Sequence, residues 1–419
     1  MGQIKKLPNK DFFAYTRIMI NAFPGFPGYE TPDQATVEKL TKILMDMDRK
    51  DTTLSYYGYY EKGSLLGGIR FFDFTMNLFG NLVMNGGGSL LGVDLMHKKE
   101  KIAKQLMDYF IDYYLKKNAP LVSLYPFRPD FYHKMGFGYG SKSNDYIVKP
   151  AELPDKGDKS KVRFYNKKDW PKLKACYNRY AKAAHGMFLK VESEKRRYEV
   201  PSIRIAVFES KGEIQGFVAF TFKTSSDVSF LKIQIKVTEL ISENRDAFLG
   251  ILSFLKSQAD QAQYIILPTY DDNIHFLPFD PRNHSYRLTA LMAHETNAQG
   301  TGIMYRVIDT PGLFAALKNH NFGNQTCRLK ISINDSFLKS NDKSCIVSFE
   351  NGLARMQTKD DSEIEIKLNV AEFSSMILGV IDFKTLYRYG LADISDRSYV
   401  NTVNRIFKAE EKPITTTQF

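Results

Sequence analysis

The sequence predicts a multi-domain protein of α/β and α+β architecture. Three observations predict it. Residues 1–150 alternate helical periodicity with short apolar strands. After a connector rich in Pro, Gly and charge, residues 151–290 repeat that order of elements, which suggests a duplicated fold. From 291 to 419 the pattern shifts to period-two runs with a few helices, an α+β module. At 419 residues the chain exceeds one ordinary core, and 43% apolar with 25% charged residues is a globular composition.

In the first segment DFFAYTRIMINAF has helical periodicity, and Asp33 is placed to open the helix DQATVEKLTKILMDM. TTLSYYGYYEKGSLLGGIRFFDFTMNLF reads as two strands joined by a turn at Lys62-Gly63. NGGGSLLGVDLM reads as a strand entered through three glycines. The helix KKEKIAKQLMDYFIDYYLKK sets Ile102, Leu106, Tyr109, Phe110 and Tyr113 on one face. APLVSLYPF is a strand, and RPDFYHKMGFGYG a short helix that breaks at Gly136. The connector KPAELPDKGDKS follows. Then come a helix beginning near Trp170-Pro171, a hairpin turning at Lys211-Gly212, the strand FLKIQIKVTELI, the helix RDAFLGILSFLKSQADQ and the strand QYIILPTY. In the last segment MYRVIDTPGLFAAL enters a helix. CRLKISINDSFL, SCIVSFENGLARMQT and EIEIKLNVAEFSSMIL alternate, with a hairpin at Asn351-Gly352; FSSMILGV and DFKTLYRYG read as helical, and NTVNRIFKA is the final helix.

The net charge of +11 favours an anionic partner, yet the basic groups HKKEKIAK and KRR are short and mixed, so no nucleic-acid partner is expected. Three scattered cysteines argue for a reducing compartment, and no Cys/His cluster has metal-ligand spacing. The start MGQIKKLPNKDF lacks a signal-peptide core, and no apolar run reaches transmembrane length. A cytoplasmic protein without a membrane span is the expectation.

One stretch carries chemistry. GSLLGVDLMHKKEKIAKQLM followed by PLVSLYPFRPDFYHKMGFGYG reads strand, basic turn, helix, strand, helix. A basic turn at a helix N-terminus suits a diphosphate, because free N–H groups and the positive dipole end meet there. Read from the residues alone, a solvated helix start remains the other reading.

These residues resemble the acetyl-CoA site of the GNAT acetyltransferase superfamily. The order of modules and the terminal P-x-T-T-T-Q-F extend the resemblance to the Eis (enhanced intracellular survival) family. It implies two GNAT-like domains, each a mixed sheet flanked by helices (1–150, catalytic; 151–290, degenerate), followed by a sterol-carrier-like α+β domain (291–419) whose C-terminus enters the active site. It further implies an N-acetyltransferase in which acetyl-CoA is the co-substrate, a primary amine the acceptor, no metal is needed, and the chain forms a homo-oligomer such as a hexamer. By match to the family's motifs, Tyr132 is the general acid and the α-carboxylate of Phe419 the general base. Val93, Leu95, Lys98, Lys99, Lys101, Ile102, Ala103 and Phe127 hold the cofactor, and Phe23, Phe26 and Glu30 form the acceptor pocket.

Two departures stand out. Lys101 replaces the first glycine of the family's phosphate loop, and Glu100 adds a negative charge there. Gly25 and Gln418 stand where some members carry acids, so a bulky polycation is expected to bind less well. Alternatives are a non-catalytic CoA- or lipid-binding protein of the same fold. Bland readings apply to His97 as a loop residue, to His133, which points away from the face of its neighbour Tyr132, to Ser123, which lacks a triad, and to Asp271, Asp272 and His275 as a polar loop.

Overall fold

The structure is a computed structural model that describes residues 2–26, 29–30, 33–224, 229–359 and 361–419. The chain divides into two compact units, one of residues 1–140, 303–413 and 417–419, the other of residues 141–302 and 414–416.

The first unit opens with β1 (Gln3–Lys6), α1 (Phe12–Ala22) and α2 (Gln34–Lys50). Asp33 caps α2 by accepting a hydrogen bond from the Thr36 N–H at 2.7 Å. β2 (Leu54–Glu61) and β3 (Ser64–Leu78) turn at Lys62-Gly63, both at positive φ as a tight hairpin demands. β4 (Asn81–Val93) begins earlier than its glycines. A second turn at Phe79-Gly80 makes the hairpin, and the Asn77 side chain accepts the Gly80 N–H at 2.7 Å. The three glycines lie mid-strand because neighbouring rings press on the backbone. A Cβ at Gly86 would sit 2.4 Å from the Tyr114 ring, and one at Gly87 2.4 Å from Phe74 and 3.1 Å from Phe419.

α3 (Ile102–Lys116) buries Ile102, Leu106, Phe110 and Tyr114 against β3 and β4. Tyr109 and Tyr113, expected on that stripe, are half-buried at its margin, where each packs on Tyr57. Burying Phe110 fully is worth about 2–3 kcal/mol, so Phe110→Ala is the single change that would most directly undo this packing. β5 (Leu121–Leu124), α4 (Pro129–His133) and β6 (Gly138–Tyr139) complete this stretch.

The second unit holds β7 (Lys142–Val148), β8 (Val162–Phe164), α5 (Trp170–Ala183), α6 (Lys195–Tyr198), β9 (Arg204–Ser210), β10 (Glu213–Thr224), β11 (Ile233–Ser242), α7 (Arg245–Lys256), β12 (Ala262–Thr269), β13 (Leu288–Ala290), β14 (Ala293–His294) and β15 (Asn297–Thr301). Its sheet runs β8-β9-β10-β11-β12-β7-β15 with apolar clusters on both faces. A charge network is sealed in one of them. Lys190 meets Glu194 at 3.2 Å and Glu239 at 3.6 Å, and lies over the Tyr177 ring, while Tyr198 donates to Glu239. Thr416 joins it by donating to Glu239 at 2.6 Å.

The rest of the first unit follows: β16 (Met304–Val307), α8 (Thr310–Ala316), β17 (Cys327–Asn334), β18 (Ser344–Glu350), β19 (Leu353–Gln357), β20 (Ile364–Asn369), α9 (Val370–Ile377), α10 (Phe383–Arg388), β21 (Ala392–Ile394) and α11 (Val400–Phe407). The last five strands form their own sheet, β19-β18-β17-β20-β21. β16 does not join them. The run MYRV, read as the approach to a helix, is a buried strand inserted between β5 and β6, so the first sheet runs β1-β2-β3-β4-β5-β16-β6. The two large sheets therefore match strand for strand, with β16 and β7 in equivalent places. Residues 142–148, read as the end of the first module, pair in the second sheet.

Candidate active site

Both sheets share one parallel pair at their centre, β4–β5 in the first and β11–β12 in the second. In the first sheet β5 follows β4 only from Asn85↔Leu121 to Gly88↔Leu124. Beyond Gly88 the strands part. A bulge lies opposite Gly68–Arg70, with Leu90 at φ 49°, and it re-aims the end of β4. The parting opens a cleft of about 730 Å³ whose lining includes Leu91 and Val93 from β4, Ala22 and Phe23 from the end of α1, and Phe131, Tyr132 and Met135 from the α4 region.

The loop between β4 and α3 supplies the charged wall. His97, Lys98, Lys99, Lys101 and Lys104 line the cleft together with Ile102 and Ala103. The Lys101 position keeps the backbone that a glycine would provide. Lys101 has φ 64°, ψ 13°, and Lys99 has φ 68°, so the loop follows a left-handed path with side chains attached. No side chain caps the start of α3, which leaves its first N–H groups for an anion. Glu100 is not part of the lining; it pairs with His97 at 3.2 Å. In the second unit the matching helix α7 is closed, because Asn244 caps it by accepting the Ala247 N–H at 2.9 Å. Its neighbour Glu243 is gripped by Arg179. An open helix start, four lysines and an unpaired strand segment fit the diphosphate and extended arm of acetyl-CoA.

Tyr132 sits on α4, which starts at Pro129 and ends at His133, and the turn that follows closes at Gly136, where φ is 81°. Gly136 is fixed twice over, since a Cβ there would collide with the Arg306 guanidinium. Tyr132 is 9% exposed, and burial pushes its phenol up to about 12. Its hydroxyl makes no hydrogen bond to another described residue and faces the cleft.

Phe419 lies on the sheet face that carries the even residues of β3. Its ring meets Phe74 at 4.8 Å, Tyr125 at 5.4 Å and Phe72 at 5.7 Å, and Tyr125 donates to the Thr417 carbonyl at 2.9 Å. Phe419 does not itself line the cleft. Phe23 and Phe26 stack at 5.4 Å, and Phe127 meets Phe23 edge-on at 5.7 Å, so the expected acceptor wall and one expected cofactor contact form one aromatic cluster. Leu95 is exposed and outside the lining, and Glu30 is exposed.

Sequence reasoning missed three groups around this site. Arg306 on β16 is fully buried, pairs with Asp335 at 2.8 and 2.9 Å, and donates to the Met135 carbonyl just after α4. Glu372 on α9 holds His133 at 3.1 Å, so His133 serves the α4–α9 contact. Arg70 on β3 is treated below. No local pattern marks any of them, because the partners they hydrogen-bond lie 19 to 239 residues away. Ser123 is a buried strand residue that donates to Asn85 at 2.6 Å, and Asp271, Asp272 and His275 bond within their own loop and to Asn144. Among the described residues no group of three His, Cys, Asp or Glu side chains is placed to hold a metal ion, and no helix is long and apolar enough to cross a membrane.

Residues 3–140 and 182–307 each match a family model of an acetyltransferase (GNAT) domain, and residues 313–416 match a sterol carrier protein domain. No curated protein matches at a significant level. Among solved structures, the fold is shared over 100% of both chains with a GCN5-related N-acetyltransferase from Anabaena variabilis (TM-score 0.81, 15% identity). The same full coverage holds for a probable N-acyltransferase from Enterococcus faecalis (0.78, 16%) and for Eis1 from Mycobacterium abscessus (0.78, 17%). GNAT domains in general use acetyl-CoA and act on amines. The chain thus carries two acetyltransferase (GNAT) domains, with an open phosphate loop in the first, followed in sequence by a sterol carrier protein domain, and its fold is similar end to end to that of Eis1.

Proposed function

We propose that the chain is an acetyl-CoA-dependent N-acetyltransferase that acetylates a primary amine by direct attack in a ternary complex. The observation that carries this reading is the Tyr132 phenol, buried, without an internal partner, and facing a cleft whose opposite wall is the lysine-rich phosphate loop. When bound, acetyl-CoA supplies the activated acetyl group. Lys98, Lys99, Lys101 and the open start of α3 hold its phosphates, with Ile102 and Ala103 beside them. The β4 backbone near Val93 directs an N–H at the thioester carbonyl, an oxyanion-hole role. The Phe419 α-carboxylate takes the proton from the acceptor ammonium, and Tyr132 donates one to the departing thiolate. A phenol pushed up to about 12 stays protonated at neutral pH, as a general acid must. Phe23, Phe26 and Glu30 border the acceptor. The three modules are assigned along the sequence to residues 1–150, 151–290 and 291–419, with 142–148 lending a strand to the second sheet and 304–307 one to the first, and with assembly as a homo-oligomer, a hexamer by resemblance, in the cytoplasm.

The test is thiol release from acetyl-CoA with a panel of amines, for the full chain and for a chain lacking only Phe419. Turnover in the first and at least a hundred-fold loss in the second, with acetyl-CoA binding retained, is the expected result. Equal turnover would keep the transferase and remove the carboxylate base. No CoA binding and no turnover would favour a non-catalytic ligand-binding protein.

A further inference from the structure

The first unit buries two arginines, and they are treated differently. Arg306 has a bidentate carboxylate in Asp335. Arg70, 9% exposed on β3, has none within ion-pair distance among the described residues. Its Nε donates to Ser89 on the neighbouring strand at 2.9 Å, and its guanidinium lies over the Phe72 ring at 4.6 Å. Those two contacts aim the fork, and its terminal nitrogens have no acceptor among the described residues. A guanidinium never discharges, and holding one in a largely buried place without an anion is costly. Such a fork is built to receive a carboxylate or phosphate from outside.

Its position says which ligand. Arg70, Phe72 and Phe74 alternate along β3 and share one face, the face on which the Phe419 ring rests. On the other side Arg70 is close enough to Tyr15 and Tyr29 for its charge to oppose the upward push of burial on both phenols. Tyr29 in turn meets Phe26 of the aromatic acceptor wall at 5.8 Å. Arg70 thus stands between the acceptor wall and the chain terminus, and it is not among the residues that line the cleft with the phosphate-loop lysines. Resting on the acetyltransferase reading above, we infer that Arg70 recognises an anionic group on the acceptor, so that the preferred acceptors are amines that also carry a carboxylate or phosphonate, amino-acid-like molecules rather than polycations. The absence of acids at Gly25 and Gln418 suits the same charge balance.

Matched acceptors test this with the full chain. Lysine is compared with cadaverine, and ω-amino acids and aminoalkylphosphonates with alkylamines of equal length, for wild type, Arg70→Lys and Arg70→Gln. The wild type is expected to favour the anionic member of each pair by about 10- to 100-fold in kcat/KM. Arg70→Gln is expected to bring that ratio near one, with Arg70→Lys between. Carboxylates favoured over phosphonates, or the reverse, identify the anion. Ser89→Ala, which only releases the fork, gives a smaller fall and serves if Arg70→Gln does not fold. A ratio unchanged in these variants, or cadaverine preferred by wild type, overturns the role of Arg70 while the transferase stands. If no amine is turned over, calorimetric titration of ω-amino acids into the CoA-loaded chain decides. Binding lost in Arg70→Gln keeps the anion site and sinks the transferase; binding absent or equal in both sinks the site.

Discussion

The Tyr125 hydroxyl donates a 2.9 Å hydrogen bond to the carbonyl of Thr417, 292 residues along the chain. That bond, with the Tyr125 ring against Phe419 at 5.4 Å, fixes the chain end two residues before its carboxylate. Tyr125→Phe keeps the ring contact and removes the bond, a loss of about 1 kcal/mol. The expected outcome is a fall of about 3- to 10-fold in kcat with acetyl-CoA affinity retained, read by steady-state kinetics beside equilibrium binding.

Tyr132→Phe should lower kcat by about 10²- to 10⁴-fold, the usual worth of a general acid, with KM for acetyl-CoA little changed. The pH profile provides the second check. Burial raises the phenol to about 12, so the proton is present below that value and leaves only as the pH climbs through it. The rate should therefore show no alkaline limb from this group below about pH 10. An alkaline limb near pH 8 that vanishes in Tyr132→Phe would contradict the assignment.

Lys101 holds a left-handed backbone at φ 64°, which costs a side-chain-bearing residue about 1 kcal/mol. Lys101→Gly removes that cost and also removes a cation from the cleft wall. Chemical denaturation of the apo protein should show it as stable as wild type or slightly more so. Titration with CoA should show affinity reduced several-fold, about 3- to 10-fold for one screened phosphate contact.

The His133–Glu372 pair ties α4 to α9 and gives the fold a pH signature. The Glu372 hydrogen bond raises the pKa of His133. Burial, the largest single influence, pushes Glu372 upward, but the His133 hydrogen bond, the backbone and Asn369 hydrogen bonds and the His133 charge together outweigh it, so the net shift is downward. The histidine's contribution is thus full below its ordinary value of about 6.5 and fades as the pH rises through the raised one. The carboxylate's contribution is full above about 4.3 and fades as the pH falls through the lowered one. His133 is partly exposed, so screening holds the total to under about 1 kcal/mol. Urea denaturation of wild type and Glu372→Gln should differ most between pH 5 and about 6.5 and converge at alkaline pH; a constant gap would show that the pair does not titrate.

Much of the local structure was legible in the sequence. Periodicity drew most of the apolar stripe of α3, and the lysines before it lie on the loop that lines the cleft. The sequence predicts that the short helix that carries Tyr132 breaks at Gly136; it ends three residues earlier, at His133, and Gly136 takes the left-handed position that closes the following turn. The duplicated order of elements announced a second domain of the same kind. These features are local, and hydrophobic period and turn chemistry encode local structure directly.

The tertiary structure decided the rest. Whether 304–307 forms a strand beside 121–124 depends on pairing across 180 residues, which no window of sequence contains. The glycines at 86–88 look like a flexible entry until the rings of Phe74, Phe110, Tyr114 and Phe419 are seen against them. A strand's period assigns a face and not the neighbour that covers it. For that reason the pairing of Arg306 with Asp335, the tie from His133 to Glu372, and the lack of a carboxylate within ion-pair distance of Arg70 among the described residues are properties of the packed molecule alone.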